Sequence, residues 1–330
     1  MRIRLGVVGL GEGWERRHKP ALLRLSDKFE IRSLYDEVAH RAAVQAAELE
    51  CDAAGGFTAL IERPDIDAVY FLGNSWSGVA PIQTACRLKK AIYHARRING
   101  DCQAAQETID KIRSSDVRFM AEFPWRFYPA TIRLMELLAS GLGSPQLVFC
   151  DQSVLVPEKP AAASRGEPDA EDVTLYTADW MRFVFARNPT AVQSASATPG
   201  NAGPCLGCET IVAEFGDSCL AHAMIRRYPQ PTWSEAGQFG RPPSFHVVAE
   251  HGMAFVQMPS DVTWFDKSGR HDETLEMERS LGEMLSDRFY RIVVHGLTPS
   301  PGLDDLDWAR RIVTHSRAAS AAGRRQTFSV

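Results

Sequence analysis

A glycine-rich turn near the start of the chain constrains its fold more than any other feature. Residues 2–22, RIRLGVVGLGEGWERRHKPAL, begin with a short apolar run at 3–8. Such a run, followed at once by glycines, predicts the central strand of a parallel sheet that is covered on both faces. The stretch therefore indicates a strand, a tight turn and a helix, which is the arrangement of a dinucleotide site.

The turn fits the dinucleotide fingerprint G-x-G-x-x-G at two of its three glycine positions. Gly9 and Gly11 occupy the first two, where backbone N–H groups can approach a pyrophosphate. Trp14 stands in the third position, and Gly13 comes one residue early. We expect the indole either to displace a pyrophosphate or to stack beside it on a widened turn. A glycine turn without a ligand is the alternative.

Composition places the chain among ordinary globular proteins. Its 330 residues, 45% hydrophobic and 24% charged, suffice for two domains with sizeable cores. A formal net charge of -4 gives no reason to expect nucleic acid or an acidic membrane as a partner. No apolar run reaches the length of a membrane span, and seven scattered cysteines do not form a secreted disulfide framework. A cytoplasmic location is therefore expected.

Strands alternate with helices through the first third of the chain. Predicted strands at 29–35, 67–72, 91–94 and 117–121 are separated by helical patterns at 39–49, 79–88 and 102–113. This alternation predicts an α/β fold with a doubly wound parallel sheet. Asp36 ends the second strand, where a carboxylate can accept hydrogen bonds from the adenosine ribose and repel a 2′-phosphate. We therefore expect NAD rather than NADP, and capping of the next helix is the alternative role of Asp36.

Six segments in order resemble the Gfo/Idh/MocA oxidoreductases, which include glucose-fructose oxidoreductase and the inositol dehydrogenases. No single segment is decisive, and the resemblance depends on their order and spacing over nearly the whole chain. The segments are GLGEGWERRHKPAL (9–22), PDIDAVYFLGNS (64–75), LKKAIYHARRI (88–98), EFPWRFYPATIRLMELLASGLGSPQLV (122–148), DVTLYTADWMRFVF (172–185) and HGLTPSPGLDDLDWARRIVTHSRAASAAGR (295–324).

The resemblance implies a Rossmann domain, residues 1–122, followed by an α+β domain, residues 123–330, with an open antiparallel sheet. Apolar and β-branched runs predict strands at 147–155, 210–215, 219–225, 246–250 and 254–258, and a helix is predicted at 304–322. Breaker-rich segments predict long loops at 157–172, 198–208 and 228–243. Because an uncovered apolar sheet face needs a partner, we expect a homo-oligomer.

The resemblance also implies where catalytic groups stand, and several of them are replaced, among them the lysine and the histidine. The family's Glu-Lys-Pro motif falls on residues 95–97, which places Arg96 where the lysine would be. Arginine can stabilise an alkoxide but cannot share its proton. The pattern D-x-G-x-H-x-x-D falls on Asp172, Thr174, Tyr176 and Asp179, so a tyrosine replaces the histidine. A phenol, with a reference pKa of about 10, can donate a proton but is a poor base at neutral pH.

Arg96, Tyr176 and Asp172 are therefore the candidate catalytic residues, and they suit carbonyl reduction better than alcohol oxidation. Arg126 matches an arginine that the family often places near nicotinamide or substrate. Together with Arg96, Arg97 and Arg182 it would suit a carboxylated or phosphorylated small molecule, and a solvated face or pairing with Asp172 and Asp179 is the alternative for these arginines. The candidate cofactor-binding residues are Gly9, Gly11, Glu12, Gly13, Trp14, Asp36, Gly73, Asn74, Ser75 and Arg126.

Two functional classes stay open. The first is an NAD-dependent oxidoreductase acting on a sugar, a polyol or a related carbonyl compound. The second is a non-catalytic ligand-binding or assembly protein on the same fold, because the usual Glu-Lys-Pro and His motifs are altered. No metal is expected, since Cys205 and Cys208 form a lone C-x-x-C pair and a structural zinc site needs four ligands.

Overall fold

The computed structural model describes residues 1–11, 13–73, 78–95, 97–98, 102–156, 170–198, 206–216, 218–229 and 244–328. These residues form two compact units. The first contains Met1–Phe123 and Arg279–Asp307, and the second contains the described residues of 124–278 and 308–328. The expected boundary after residue 122 lies beside this division. Arg279–Asp307, however, groups with the first unit, whereas the sequence interpretation placed it in the second domain.

The described part of the first unit contains a six-stranded sheet in which all paired strands run parallel. Its strands are β1 (Ile3–Val8), β2 (Phe29–Tyr35), β3 (Asp52–Ala53), β4 (Ala68–Phe71), β5 (Ala91–His94) and β6 (Phe119–Ala121). Their order, β3-β2-β1-β4-β5-β6, is that of a dinucleotide-binding Rossmann sheet. The predicted doubly wound parallel sheet is confirmed. From β1 the chain adds strands first on one side, as β2 and β3, and then on the other side, as β4, β5 and β6.

The helices cover these strands and the second sheet. Those of the described residues are α1 (Lys19–Arg24), α2 (Ala39–Glu48), α3 (Phe57–Ile61), α4 (Ala80–Arg87), α5 (Cys102–Ser115), α6 (Pro129–Leu137), α7 (Ala170–Phe185), α8 (Leu281–Val294) and α9 (Leu303–Ala322). None of the described helices is both long enough and apolar enough to cross a membrane. α8 was not predicted, although Ser280 and Glu283 form a reciprocal capping box at its start.

The described part of the second unit contains a nine-stranded, mostly antiparallel sheet. Its strands are β7 (Pro145–Val156), β8 (Ala191–Ala197), β9 (Gly207–Glu214), β10 (Leu220–Pro229), β11 (Ser244–Ala249), β12 (Gly252–Gln257), β13 (Asp261–Asp266), β14 (Gly269–Thr274) and β15 (Gln326–Thr327). Their order is β14-β13-β12-β11-β7-β10-β9-β8-β15, with β7 and β10 parallel. The five predicted strands are present, and β8, β13, β14 and β15 were missed.

The predicted loop segments correspond only partly to described residues. Most of 157–172, 198–208 and 228–243 lies outside them, so those predictions stay untested there. At the described ends, helix α7 already begins at Ala170, and strand β9 begins at Gly207.

The two faces of the second sheet differ in burial because side chains alternate along each strand. Val148 and Cys150 on β7 are buried under α7, where Trp180 stacks on Phe245 with ring centroids 4.0 Å apart. The opposite side exposes large apolar side chains that form what we call the outer apolar face. Its members are Leu147, Phe149, Met253, Phe255 and Phe265.

Candidate active site

The glycine turn follows β1 directly, and its glycines serve two different purposes. Gly9 has a φ of +89°, and a Cβ added there would lie 2.6 Å from the backbone nitrogen of Gly73. Both the left-handed backbone and the close approach therefore require glycine at this position. At Gly11 and Gly13, an added Cβ would meet no atom of the described residues within 4 Å, apart from those of its neighbours in the chain. The backbone at these two residues borders open space, which is what a pyrophosphate-binding turn requires.

Asp36, at the end of β2, holds the turn in place. Its Oδ2 accepts the N–H of Leu10 at 2.7 Å, and its Oδ1 accepts the N–H of Val38 at 2.9 Å. The second contact is a local Asx turn that leads the chain into α2. Arg41 on α2 brings Nη1 to 3.3 Å from Asp36 Oδ1 and from the carbonyl oxygen of Leu10. Asp36 therefore organises the turn, and it remains 7% exposed beside it.

A cavity of about 190 Å³ opens between the turn and Asp36. It lies at the carboxyl ends of β1, β2 and β4, at the point where the strand order reverses, which is where open α/β sheets bind ligands. Four of the predicted cofactor residues line it together: Gly9, Gly11, Asp36 and Gly73. Glu37 and Arg41 also line this cavity, so both signs of charge border it.

Trp14 does not contribute its side chain to this space. Trp14–His18 form a π-helical turn ahead of α1, and the indole is fully buried. Its Nε1 donates a hydrogen bond to Oε1 of Gln45 on α2 at 3.0 Å. The expectation that the indole lies beside or in place of a pyrophosphate is therefore wrong. The ring is wholly buried and has no exposed surface that a ligand could contact. A cofactor contact through the backbone of Trp14 stays a prediction.

Helix α7 carries the other candidate group in the second unit. Asp172, Tyr176 and Asp179 are spaced by four and three residues, which places them on one helical face. All three are buried, and Tyr176 is 5% exposed. The Tyr176 ring lies edge-on to Trp125, with centroids 5.8 Å apart. Asp172 and Tyr176 therefore lie one turn apart on α7, and their catalytic roles stay predictions.

Arg126 is bonded to the same helix. It lies in the 3₁₀ turn Pro124–Phe127, and its Nε donates to Asp179 Oδ2 at 2.8 Å while Nη2 bonds Oδ1. Its guanidinium also lies over the Phe183 ring, 4.6 Å from the centroid. This is the pairing that the sequence left open as the alternative role of Arg126. A contact with the cofactor stays a prediction, and it would involve a guanidinium already held by Asp179.

A buried carboxylate that the sequence analysis missed lies directly after β6. Glu122 Oε2 accepts a hydrogen bond from the Tyr93 hydroxyl at 2.7 Å and lies 3.2 Å from His18 Nε2, while Arg17 bonds Oε1. Burial alone would raise the pKa of Glu122, but the charge of Arg17 and the contacts with His18 and Tyr93 lower it to about 2. The signal available in the sequence was a lone acid following an apolar strand.

Some predicted site residues lie outside the described residues. These are Glu12, Asn74, Ser75, Arg96 and Cys205, and their roles stay predictions. Among the residues that are described, no group of three or more His, Cys, Asp and Glu side chains is arranged to hold a metal ion.

Comparison with known proteins extends the sequence resemblance. Residues 3–123 match the Gfo/Idh/MocA model, an oxidoreductase family with an NAD-binding Rossmann fold. A dTDP-3,4-didehydro-2,6-dideoxy-alpha-D-glucose 3-reductase of Streptomyces antibioticus is 27% identical over 168 residues, 51% of this chain and 51% of that protein. The enzyme of the same name from Saccharopolyspora spinosa is 38% identical over 68 residues, 21% of this chain and 20% of that protein. The chain thus spans about half the length of the first relative and a fifth of the second.

Solved structures resemble the whole chain. A putative myo-inositol dehydrogenase from Sinorhizobium meliloti has a TM-score of 0.80 at 18% identity, covering 99% of this chain and 100% of that one. An aldose-aldose oxidoreductase from Caulobacter crescentus, complexed with glycerol, has a TM-score of 0.82 at 15% identity, with the same coverage. An oxidoreductase from Agrobacterium radiobacter, in complex with NAD+, L-tartaric acid and magnesium, has a TM-score of 0.81 at 13% identity, covering 99% and 98%. At these identities the likeness shows the fold alone.

Proposed function

We propose that the protein is an NAD-dependent oxidoreductase of the Gfo/Idh/MocA type, acting on a sugar, a polyol or a related small carbonyl compound, because residues 3–123 match the model of that family. The glycine turn carries the proposal, because Gly11 and Gly13 border open space and Gly11 lines the cavity next to Asp36. The names of the two curated relatives, both reductases of a dTDP-linked sugar, support the substrate class.

NAD(H) is the proposed cofactor, with NADP(H) less favoured. Asp36 and Glu37 bring negative charge to the cavity where a 2′-phosphate would lie. The two backbone N–H bonds and the contact with Arg41 fix the Asp36 carboxylate, which we propose accepts hydrogen bonds from the ribose hydroxyls. Arg41 offsets part of this negative charge, so the discrimination is expected to be modest. When bound, the nicotinamide ring supplies or accepts the hydride.

Tyr176 is the proposed proton donor. As a carbonyl substrate is reduced, the phenol gives its proton to the substrate oxygen, and solvent then restores it. Asp172, one turn earlier on α7, is proposed to orient the phenol. Arg96 is proposed to stabilise the negative charge that develops on the oxygen. Arg96 and Arg97 would also suit an anionic group on the substrate.

A non-catalytic binding role is the second candidate function. The buried Arg126–Asp179 ion pair favours it, because each side chain neutralises the charge that the other would offer to a reacting group. With arginine and tyrosine in place of the family's lysine and histidine, the fold would then bind a ligand without turning it over.

A homo-oligomer assembled through the outer apolar face is proposed as the working form. Phe149 and Phe255 are 37% and 41% exposed on neighbouring parts of the sheet, and His246 stacks between them. An apolar face of this kind is typical of a surface that a second copy covers.

The direct experiment is a turnover assay that follows reduced nicotinamide with keto sugars, aldoses, inositols and their carboxylated derivatives. We expect turnover with at least one of them, its loss in Tyr176→Phe, and unchanged NADH binding in that variant. Tyr228→Phe, an exposed tyrosine on β10, is the matched control. NADH binding without turnover on the whole panel would favour the non-catalytic alternative.

A further inference from the structure

The glycine turn leads into a helical turn of unusual geometry. Trp14–His18 form a π-helical turn, and α1 continues from Lys19. An i→i+5 turn holds one more residue than an α-helical turn, and such turns are frequent at functional sites. Trp14, the first residue of this turn, is fully buried, whereas an added Cβ at Gly11 or Gly13 would enter open space.

The indole is held in its place by a buried hydrogen bond. Trp14 Nε1 donates to Gln45 Oε1 at 3.0 Å, and both side chains are buried. Gln45 Nε2 in turn donates to Glu48 at 3.3 Å, and Glu48 accepts from Lys19 Nζ at 2.7 Å. These contacts connect both ends of the π-helical turn to a single helix, α2.

Helix α2 also contacts the start of the turn, at the residue that Asp36 holds. Asp36 Oδ2 fixes Leu10 N–H at 2.7 Å, and Arg41 of α2 reaches the Leu10 carbonyl at 3.3 Å. The turn is therefore held before Gly11 by Asp36 and after Gly13 by the Trp14–Gln45 bond. The open backbone of Gly11 and of Gly13 lies between these two attachments.

We propose that Trp14 and Gln45 are positioning residues for the cofactor site. In a full fingerprint the third glycine lets the helix approach the strand closely. Here the π-helical turn and the Trp14–Gln45 hydrogen bond take over that role, keeping the backbone of Gly11 and Gly13 open and oriented. The inference rests on the proposed function, because it assigns the open turn to a dinucleotide.

The test is a double-mutant cycle of Trp14→Phe and Gln45→Met, which remove the donor and the acceptor while keeping side-chain volume similar. NADH affinity is measured by calorimetry at a temperature where circular dichroism shows each variant folded. Amide hydrogen exchange of residues 11–14 is measured without cofactor. Gln103→Leu, an exposed glutamine on α5, is the control.

We expect each single variant to weaken NADH binding about tenfold and to speed exchange in the turn. The double variant should bind no more weakly than either single one, because both act through one bond. Unchanged NADH affinity in a folded Gln45→Met protein would overturn the proposal, even if its unfolding free energy fell. If the wild-type protein bound no nicotinamide cofactor, the proposed function would fail. Amide hydrogen exchange would then decide by itself whether Trp14 and Gln45 hold the turn, and unchanged exchange in both variants would overturn that role. If Trp14→Phe did not fold, Gln45→Met would carry the test.

Discussion

Arg126 and Asp179 form a bidentate ion pair inside the second unit, with Nε 2.8 Å from Oδ2 and both side chains almost wholly buried. The pair connects the turn that carries Trp125 to the helix that carries Tyr176. It therefore fixes the surroundings of the proposed proton donor.

Breaking this pair should destabilise the second unit strongly. Asp179→Ala removes the carboxylate that neutralises the buried Arg126 guanidinium, so the free energy of unfolding should fall by about 3 kcal/mol. Urea titration followed by tryptophan fluorescence measures it. Asp151→Ala, which breaks an exposed pair with Arg226, should cost well under about 1 kcal/mol. Equal losses in the two variants would contradict the structural role of the buried pair.

Glu122 should make the first unit sensitive to acid. The pKa of Glu122 in the folded chain is about 2, below the pKa of a glutamate in the unfolded chain. Its ionised form therefore stabilises the fold fully when the pH is above the pKa of the unfolded chain. The contribution is then lost as the pH falls through the folded-state value. Glu122→Gln should lower the unfolding free energy at pH 7 by about 2 kcal/mol and flatten this acid dependence. Urea titrations from neutral to acidic pH would show it, and a parallel downward shift at every pH would contradict it.

Cofactor preference should depend on the opposing charges of Asp36 and Arg41. We expect the wild-type protein to bind NADH more tightly than NADPH, because Asp36 and Glu37 repel a 2′-phosphate. Arg41→Ala should widen the gap, since it removes the cation that borders the cavity. Calorimetric titration with both cofactors measures the effect. Arg87→Ala, which breaks a surface pair with Glu62, is the control. A preference for NADPH in the wild-type protein would mean that Arg41 outweighs both acids.

The outer apolar face should hold the oligomer together. Phe255→Arg places a charge in the middle of that face and should shift the protein to monomers in multi-angle light scattering. Ile132→Arg, at an exposed apolar residue on α6 away from the face, should leave the mass unchanged. A wild-type monomer at micromolar concentration would rule out this assembly.

The sequence predicted the first sheet well because its strands are short apolar runs separated by amphipathic helices. It predicted the second sheet less completely. β8, AVQSASA, consists largely of small and polar residues near an edge of the sheet, and β14 is mostly charged or polar, so neither shows the apolar alternation of a half-buried strand.

The candidate site was predicted in part for a similar reason. Asp36 and the glycines could be placed because turn geometry restricts which residues fit there. The burial of Trp14 could not be predicted, because it depends on a contact with Gln45 of α2, which lies 31 residues later in the chain. The Arg126–Asp179 pair joins residues far apart in sequence, and local patterns carry no information about such a contact beyond charge.

The central strand of the second sheet takes partners that come much later in the chain. Leu147 on β7 pairs with Leu220 on β10, and Val148 pairs with Val247 on β11. During synthesis, this strand of 12 residues therefore leaves the ribosome with both edges unpaired and waits for two later strands. Unpaired edges of an apolar strand readily pair with other chains. Synthesis of the second unit is consequently the stage at which aggregation competes most directly with folding. Slower translation of the chain after β7 should therefore lower the yield of soluble protein.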